Sequence, residues 1–399
     1  MDNPFDYEKI KKIKEEVQTN GPDAAAAKIQ EYLDEQNNIP LNIAVTGETG
    51  SGKSTFVNAF RGILDEEDKR AAPTGPVETT SKVTPYPHPN YPNVTLWDLP
   101  GIGTTKFPAD KYLKLVGFER FDFFIIISAD RFRENDVKLA QEIQRMGKKF
   151  YFVRSKIDNT IRDEERRLRS KFNEERTLKQ IRDNCIQGLE EPGFKSPQVF
   201  LVSSCELHLY DFHLLEETLE RELPAHKRNT LLLAMPNVNP EIIRKKKEVF
   251  GSKIKYLASI SALIAAAPVA GLSFATDVTM LVATIIEYKV TFGLDSKSLQ
   301  SLALSARVPL ADLRSVMTSQ LGLQEINKEL IIKMLCLSVS DAALMAAEEG
   351  FRFVPLFGIP AAASISFIST YKALHTFLDM LAEDAQRVSK KALGFNTAV

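Results

Sequence analysis

The sequence predicts an α/β domain built on a mainly parallel sheet, joined to an all-α domain formed from N- and C-terminal segments. Three observations carry this. Short apolar runs recur between helical stretches from residue 41 to 202; a Gly-rich turn links the first run to a helix; and no strand signal returns after Leu223-Pro224. Apolar runs of four to eight residues alternating with helices describe a sheet covered on both faces. A chain of 399 residues exceeds one ordinary core, which suits two domains. They are expected as N-terminal helices over 1–38, a sheet domain over 39–223, and a helical domain over 224–399 that packs with those N-terminal helices.

Residues 5–35 read as helix from the spacing of Ile10, Ile13, Val17, Ala24, Ile29 and Leu33, with Asn20-Gly21-Pro22 breaking it in two. The apolar runs follow at 41–45, 94–97, 121–128, 150–153 and 199–202, each β-branched or aromatic and each ended by a polar turn. Such sheets place ligands at the carboxyl ends of their strands. Beyond 224 the spacing is helical, with Pro or Gly breaks near 236, 251, 268, 293 and 358.

Composition is that of an ordinary globular protein, 44% hydrophobic and 26% charged. A formal net charge of -1 offers no bulk attraction to nucleic acid. Residues 161–183 mix both signs and read as a solvated helix-loop, so no nucleic-acid partner is expected. Cys185, Cys205 and Cys336 are sparse and form no CxxC pair, which fits a reducing compartment. His208 and His213 are spaced unlike a metal site. No secretory signal is visible. Asp2 is not the glycine that N-myristoylation needs, and Asn396-Thr397-Ala398-Val399 is no prenylation box, so any membrane anchor is expected to be non-covalent or internal.

The strongest motif lies between the run at 41–45 and the helix that begins at Ser54. Gly47-Glu48-Thr49-Gly50-Ser51-Gly52-Lys53-Ser54 is G-x-x-x-x-G-K-S, a P-loop. Its glycines let backbone N–H groups and a helix N-terminus face phosphates. Lys53 supplies charge at the β- and γ-phosphates, the Ser54 hydroxyl can ligate Mg2+, and Thr55 follows on the helix. Trp97-Asp98-Leu99-Pro100-Gly101 adds Asp-x-x-Gly after the second run: Asp98 can hold Mg2+ through a water, and the Gly101 amide can reach the γ-phosphate. Ser155-Lys156-Ile157-Asp158 resembles the base-reading Asn/Thr-Lys-x-Asp motif. The Asp158 carboxylate can accept both the N1–H and the amino group of guanine, the Lys156 stem can cover the ring, and Ser155 departs from the usual Asn. In this order the motifs select GTP and GDP over ATP, in a Ras-like P-loop GTPase domain. Between the first two motifs, Thr79 or Thr80 would offer a hydroxyl to Mg2+, with Thr80 preferred. After the last run, a backbone amide at Ser203 or Ser204 would touch guanine O6. Ile102 follows Gly101 where Ras-like enzymes carry a water-orienting Gln, so solitary hydrolysis should be slow.

Thr46-Gly47-Glu48-Thr49-Gly50-Ser51-Gly52-Lys53-Ser54, Trp97-Asp98-Leu99-Pro100-Gly101-Ile102-Gly103, Phe121-Asp122-Phe123-Phe124-Ile125-Ile126-Ile127-Ser128 and Phe150-Tyr151-Phe152-Val153-Arg154-Ser155-Lys156 resemble the interferon-inducible immunity-related GTPases. Tyr210-Asp211-Phe212 and Leu223-Pro224-Ala225-His226-Lys227-Arg228 extend the likeness. The resemblance implies a dynamin-like, self-assembling GTPase of innate immunity, cytoplasmic and peripheral to intracellular membranes. It also implies pairing with itself or related GTPases. Lys53 matches the effector branch with Gly-Lys-Ser, and Glu78 stands where a switch I glutamate assists hydrolysis across paired G domains. A slow or non-hydrolysing GTP-dependent scaffold is the alternative. Residues 257–276 and 353–371 lack charge, yet Pro268, Pro355, Gly358 and Pro360 interrupt them, which favours buried helices over membrane spans. A C-terminal helix could still dock on a membrane surface, and Arg244-Lys245-Lys246-Lys247 could face anionic lipid, though a solvated helix face is the reading preferred for that run.

Overall fold

The computed structural model describes residues 4–63, 68–75, 80, 82–101, 112–129, 134–266, 272–338 and 364–394. Helices α1 (Pro4–Asn20) and α2 (Pro22–Asn37) are separated by Gly21 at φ 90, with Pro22 opening α2. A positive φ costs glycine nothing, and proline at a helix start loses no bond.

Six strands then build one sheet: β1 (Leu41–Thr46), β2 (Thr84–Pro87), β3 (Val94–Asp98), β4 (Phe123–Ser128), β5 (Lys149–Arg154) and β6 (Val199–Leu201). Their order is β2-β3-β1-β4-β5-β6. All neighbours are parallel except β2, which runs antiparallel to β3. Five strands coincide with the predicted apolar runs. The sixth, β2, is Thr-Pro-Tyr-Pro, and its two prolines hid it, because proline fits only a strand with one unpaired edge. Every residue of central β4 is buried, as a strand covered on both faces requires.

The intervening helices are α3 (Lys53–Phe60), α4 (Tyr112–Val116), α5 (Glu134–Arg145), α6 (Ile157–Leu168), α7 (Glu174–Glu190), α8 (Phe212–Glu222) and α9 (Ala225–Ala234). One core joins Phe124, Ile126 and Phe152 of the sheet to Leu139, Ile143, Ile161 and Leu189. Phe212 meets Phe56 and Phe60 of α3 edge-on, each at 6.3 Å between ring centres. The preceding Asp211 accepts both guanidinium nitrogens of Arg182, at 2.6 and 3.1 Å, and the Leu201 N–H at 2.8 Å. Tyr210-Asp211-Phe212 therefore ties α7, β6 and α8 to the helix that starts at Lys53.

Contacts divide the chain into two units, 39–239 with 300–308, and 1–38 with 240–299 and 309–399. Helix α9 falls in the sheet unit, although composition set the boundary before it. Its Lys227 donates to Asp122 Oδ1 at 2.5 Å, while Asp122 Oδ2 accepts the Asn42 N–H at 2.8 Å. An ion pair across elements distant in sequence leaves no compositional trace. Lys227→Ala is expected to cost about 1.5–3 kcal/mol in urea denaturation, since both partners are largely shielded and Asp122 loses a charge-assisted hydrogen bond. Asp122→Ala should cost more, because the Asn42 N–H is also stranded.

The second unit holds α10 (Pro240–Ala266), α11 (Leu272–Thr291), α12 (Ser296–Ala306, partly assigned to the sheet unit), α13 (Leu310–Ser315), α14 (Gln320–Leu323), α15 (Lys328–Ser338) and α16 (Ser364–Leu393). Ile13, Ala25, Ile29 and Leu33 share a core with Tyr256, Ile260, Leu263 and Phe367, so N- and C-terminal segments form one helical body. Gly293, at φ 70, ends α11 as expected. Gly251 does not end α10. A mid-helix glycine costs about 1 kcal/mol, whereas burying its neighbours Phe250 and Ile254 gains roughly 1.5–3 kcal/mol each. Packing wins. No described helix is long and apolar enough to cross a membrane; Pro268 and residues 353–363 lie outside the described residues.

Candidate functional site

The loops at the carboxyl ends of β1, β3 and β5 meet over the sheet. The chain leaves β1 towards β3 on one side while β4 lies on the other, the arrangement that opens a crevice at the strand ends. Gly47 follows β1 at φ 138, and a Cβ there would stand 2.1 Å from the Ile127 carbonyl oxygen. Only glycine lets the loop lie that close to β4. Gly50 and Gly52 also take positive φ, and Gly52 caps α3. The turn of backbone N–H groups thus leads directly into a helix N-terminus, a pairing suited to anions.

Lys53 is buried, and its Nζ donates to the carbonyls of Gly47 at 3.2 Å and Glu48 at 2.9 Å. The ammonium is thereby held back over its own loop. Glu48 accepts from Asn135 Nδ2 at 3.0 Å. Ser54 Oγ donates to Asp98 Oδ2 at 2.5 Å, Thr80 Oγ1 donates to the same oxygen at 2.9 Å, and the two hydroxyls are 3.3 Å apart. Asp98 is fully buried, and its Oδ1 has no hydrogen-bond partner among the described residues. Burial pushes its carboxyl up; the Ser54 and Thr80 hydroxyls and the charge of Lys53 pull it down. Hard oxygens from α3, β3 and Thr80 between them, with one carboxylate oxygen unspent, suit Mg2+. Gly101 lies against the P-loop so closely that a Cβ would stand 2.1 Å from Thr49 Oγ1.

Ser155 is buried at the end of β5. Its hydroxyl donates to Ser51 O at 2.6 Å, with Ser128 O a longer 3.3 Å away. The departure from Asn therefore still sends a hydrogen bond to the P-loop. Lys156, at φ 55, reaches back to donate to Gly50 O at 2.8 Å. Asp158 sits in the first turn of α6 with Arg162 at 3.7 Å. Ser203 is buried and its hydroxyl accepts the Glu206 N–H at 3.2 Å, while Ser204 is half-buried beside it. A cleft opens among Thr49, Gly50, Gly52 to Thr55, Thr74, Gly75, Thr80, Gly101 and Lys156, so the P-loop, Thr80 and the turn at Gly101 share one opening. Glu78, Thr79 and Ile102 lie outside the described residues.

The family profile described as "Interferon-inducible GTPase (IIGP)" matches residues 6–392. The chain belongs to that family. Interferon-inducible GTPase 5 of Rattus norvegicus is 43% identical over 92% of this chain and 79% of its own length. Interferon-gamma-inducible GTPase 10 of Mus musculus is 39% identical over 93% and 86%, and T-cell-specific guanine nucleotide triphosphate-binding protein 2 of Mus musculus is 40% identical over 92% and 86%. This interferon-inducible GTPase is thus a GTP-hydrolysing enzyme that binds GTP and GDP.

Thr74 and Gly75, which open the segment read from sequence as switch I, line the cleft. Sequence reasoning missed two residues around it: Asn135 holds Glu48, and Tyr112 is fully buried beside the Asp98–Gly101 turn. Neither carries a local signal, because each acts through a partner distant in sequence.

Proposed function

We propose that this GTPase hydrolyses GTP to GDP in an assembly-dependent, dynamin-like manner, in cell-autonomous innate immunity, in the cytoplasm and at the surface of intracellular membranes. The observation that carries the catalytic reading is the convergence of Ser54, Thr80 and Asp98 within 3.3 Å beside the P-loop. Backbone N–H groups of 47–52 and the start of α3 bind the phosphates, with Thr55 at their edge. Lys53 neutralises charge that develops on the transferred group. Ser54 and Thr80 would hold Mg2+ through their hydroxyls and Asp98 through a water, and the bound ion would offset the charge of the β- and γ-phosphates. The Gly101 amide donates to the γ-phosphate. Asp158 reads guanine, the Lys156 stem covers the base, Ser155 holds the two loops together, and a backbone amide at Ser203 or Ser204 meets O6.

Ile102 directly follows Gly101, and an isoleucine neither accepts a proton nor orients water. A second molecule, a copy of this chain or a related GTPase, then completes the site, with Glu78 acting across paired G domains. Relatives named as interferon-inducible and T-cell-specific support the immune setting.

Turnover per molecule, measured across a concentration series, tests this. It should climb at least tenfold between nanomolar and tens of micromolar protein, on the order expected when one missing group is supplied in trans. Glu78→Ala should flatten the rise while nucleotide affinity stays within about twofold. A flat and negligible rate at all concentrations would instead support a GTP-dependent scaffold.

A further inference from the structure

Tyr112 opens α4 and is fully buried. Its hydroxyl donates to the Pro100 carbonyl at 2.8 Å and lies 2.7 Å from Thr46 Oγ1. A phenol has one proton to give. With that proton on Pro100, the Thr46 hydroxyl must donate to Tyr112. The result is a directed chain from the last residue of β1, through Tyr112, to the carbonyl just before Gly101. Thr46 and Leu99 are fully buried too, and the Leu99 N–H donates to Val45 O at 3.0 Å. The Asp98–Gly101 turn is therefore pinned to the end of β1 at two successive points.

The chain has a consequence for the cleft. A trans peptide is planar, with its C=O and N–H pointing in opposite directions, and no described peptide is cis. Fixing the Pro100 carbonyl on Tyr112 fixes the Gly101 N–H on the opposite side, away from the buried phenol. Gly101 lines the cleft and lies against Thr49 of the P-loop.

We infer that Tyr112 is a positioning residue for γ-phosphate recognition: its hydroxyl, oriented by Thr46, holds the Pro100–Gly101 peptide so that the Gly101 N–H faces the nucleoside triphosphate. GDP lacks the γ-phosphate, so the device distinguishes GTP from GDP without touching either. This rests on the assignment of the Gly101 amide to the γ-phosphate.

The experiment measures affinity for GDP and for a non-hydrolysable GTP analogue, with Mg2+, in Tyr112→Phe, Thr46→Val, Thr46→Ser and Gly101→Ala. Tyr112→Phe keeps the ring and removes the proton donor. Its affinity for the analogue should fall about tenfold, the scale of one misaimed hydrogen bond to a charged group, with GDP affinity within about twofold. Thr46→Val should move the same ratio in the same direction, and Thr46→Ser, which restores the hydroxyl, should return it. If Tyr112→Phe does not fold by circular dichroism, the Thr46 pair decides. Equal losses for both nucleotides, or no change in the ratio, would overturn the inference. Gly101→Ala separates the two levels. If that variant leaves the ratio unchanged, the γ-phosphate assignment itself fails; if it shifts the ratio and Tyr112→Phe does not, only the role of Tyr112 fails.

Discussion

Lys53→Ala is expected to abolish measurable GTP turnover and to weaken nucleotide binding by on the order of 10²–10³. A unit charge about 4 Å from a phosphate oxygen is worth about 4 kcal/mol at the effective dielectric of a partly exposed site. Lys53 delivers that charge with little freedom to lose, because its ammonium is already held by the Gly47 and Glu48 carbonyls. Alanine removes the charge and the donor together, and leaves those carbonyls turned towards the same space. The fold should survive, since α3 is anchored elsewhere by Phe56 and Phe60 against Phe212. Titration of a fluorescent GDP or GTP analogue, with a melting curve as control, checks this. Unchanged affinity and turnover in a folded variant would remove the P-loop from the account of this enzyme.

Asp158→Asn should turn the site against guanine. On the proposed reading the carboxylate accepts two donors that guanine presents side by side, and hydrogen bonds to a charged group contribute about 1.5–3 kcal/mol each. An amide keeps one acceptor and places its own donor against the guanine amino group. A loss of GTP affinity of about 10²–10³ follows. Xanthine carries a carbonyl where guanine carries that amino group, so the variant should bind xanthosine triphosphate better than GTP. Stability should change little, because the Arg162 partner is 3.7 Å away and largely exposed. Displacement of labelled GDP by GTP, ATP and xanthosine triphosphate measures all three preferences. Efficient displacement by ATP in the wild type, with no effect of the substitution, would contradict the guanine assignment.

The sheet was legible because its strands are written as local composition: four to eight β-branched or aromatic residues, then a polar turn. β2 was not, since its prolines forbid a central strand and only the free edge beside β3 admits them. Gly251 misled for a related reason. Its local cost is smaller than the packing of the helix around it, and packing is a sum over partners that no window of sequence contains. α9 is likewise held by partners distant in sequence: Lys227 meets Asp122, and the buried Leu231 and Leu232 belong to a helix packed on β1 and β3.

Within the site, sequence alone determined the Gly-rich loop, the Asp-x-x-Gly turn and the Ser-Lys-x-Asp segment. Each is a short-range requirement: a glycine where φ is positive, as at Gly47, Gly50 and Gly52, and a charged or hydroxylated side chain at a strand end. Tertiary structure alone decided how these pieces bear on one another. The two hydroxyls that share Asp98 Oδ2, the Ser155 bond to Ser51 O and the Tyr112 hydroxyl between Thr46 and Pro100 all join residues brought near only by the parallel sheet. Hydrogen bonds are decided over about 3 Å. Spacing along a chain specifies which groups are available, and only the packed sheet and its loops specify which of them meet.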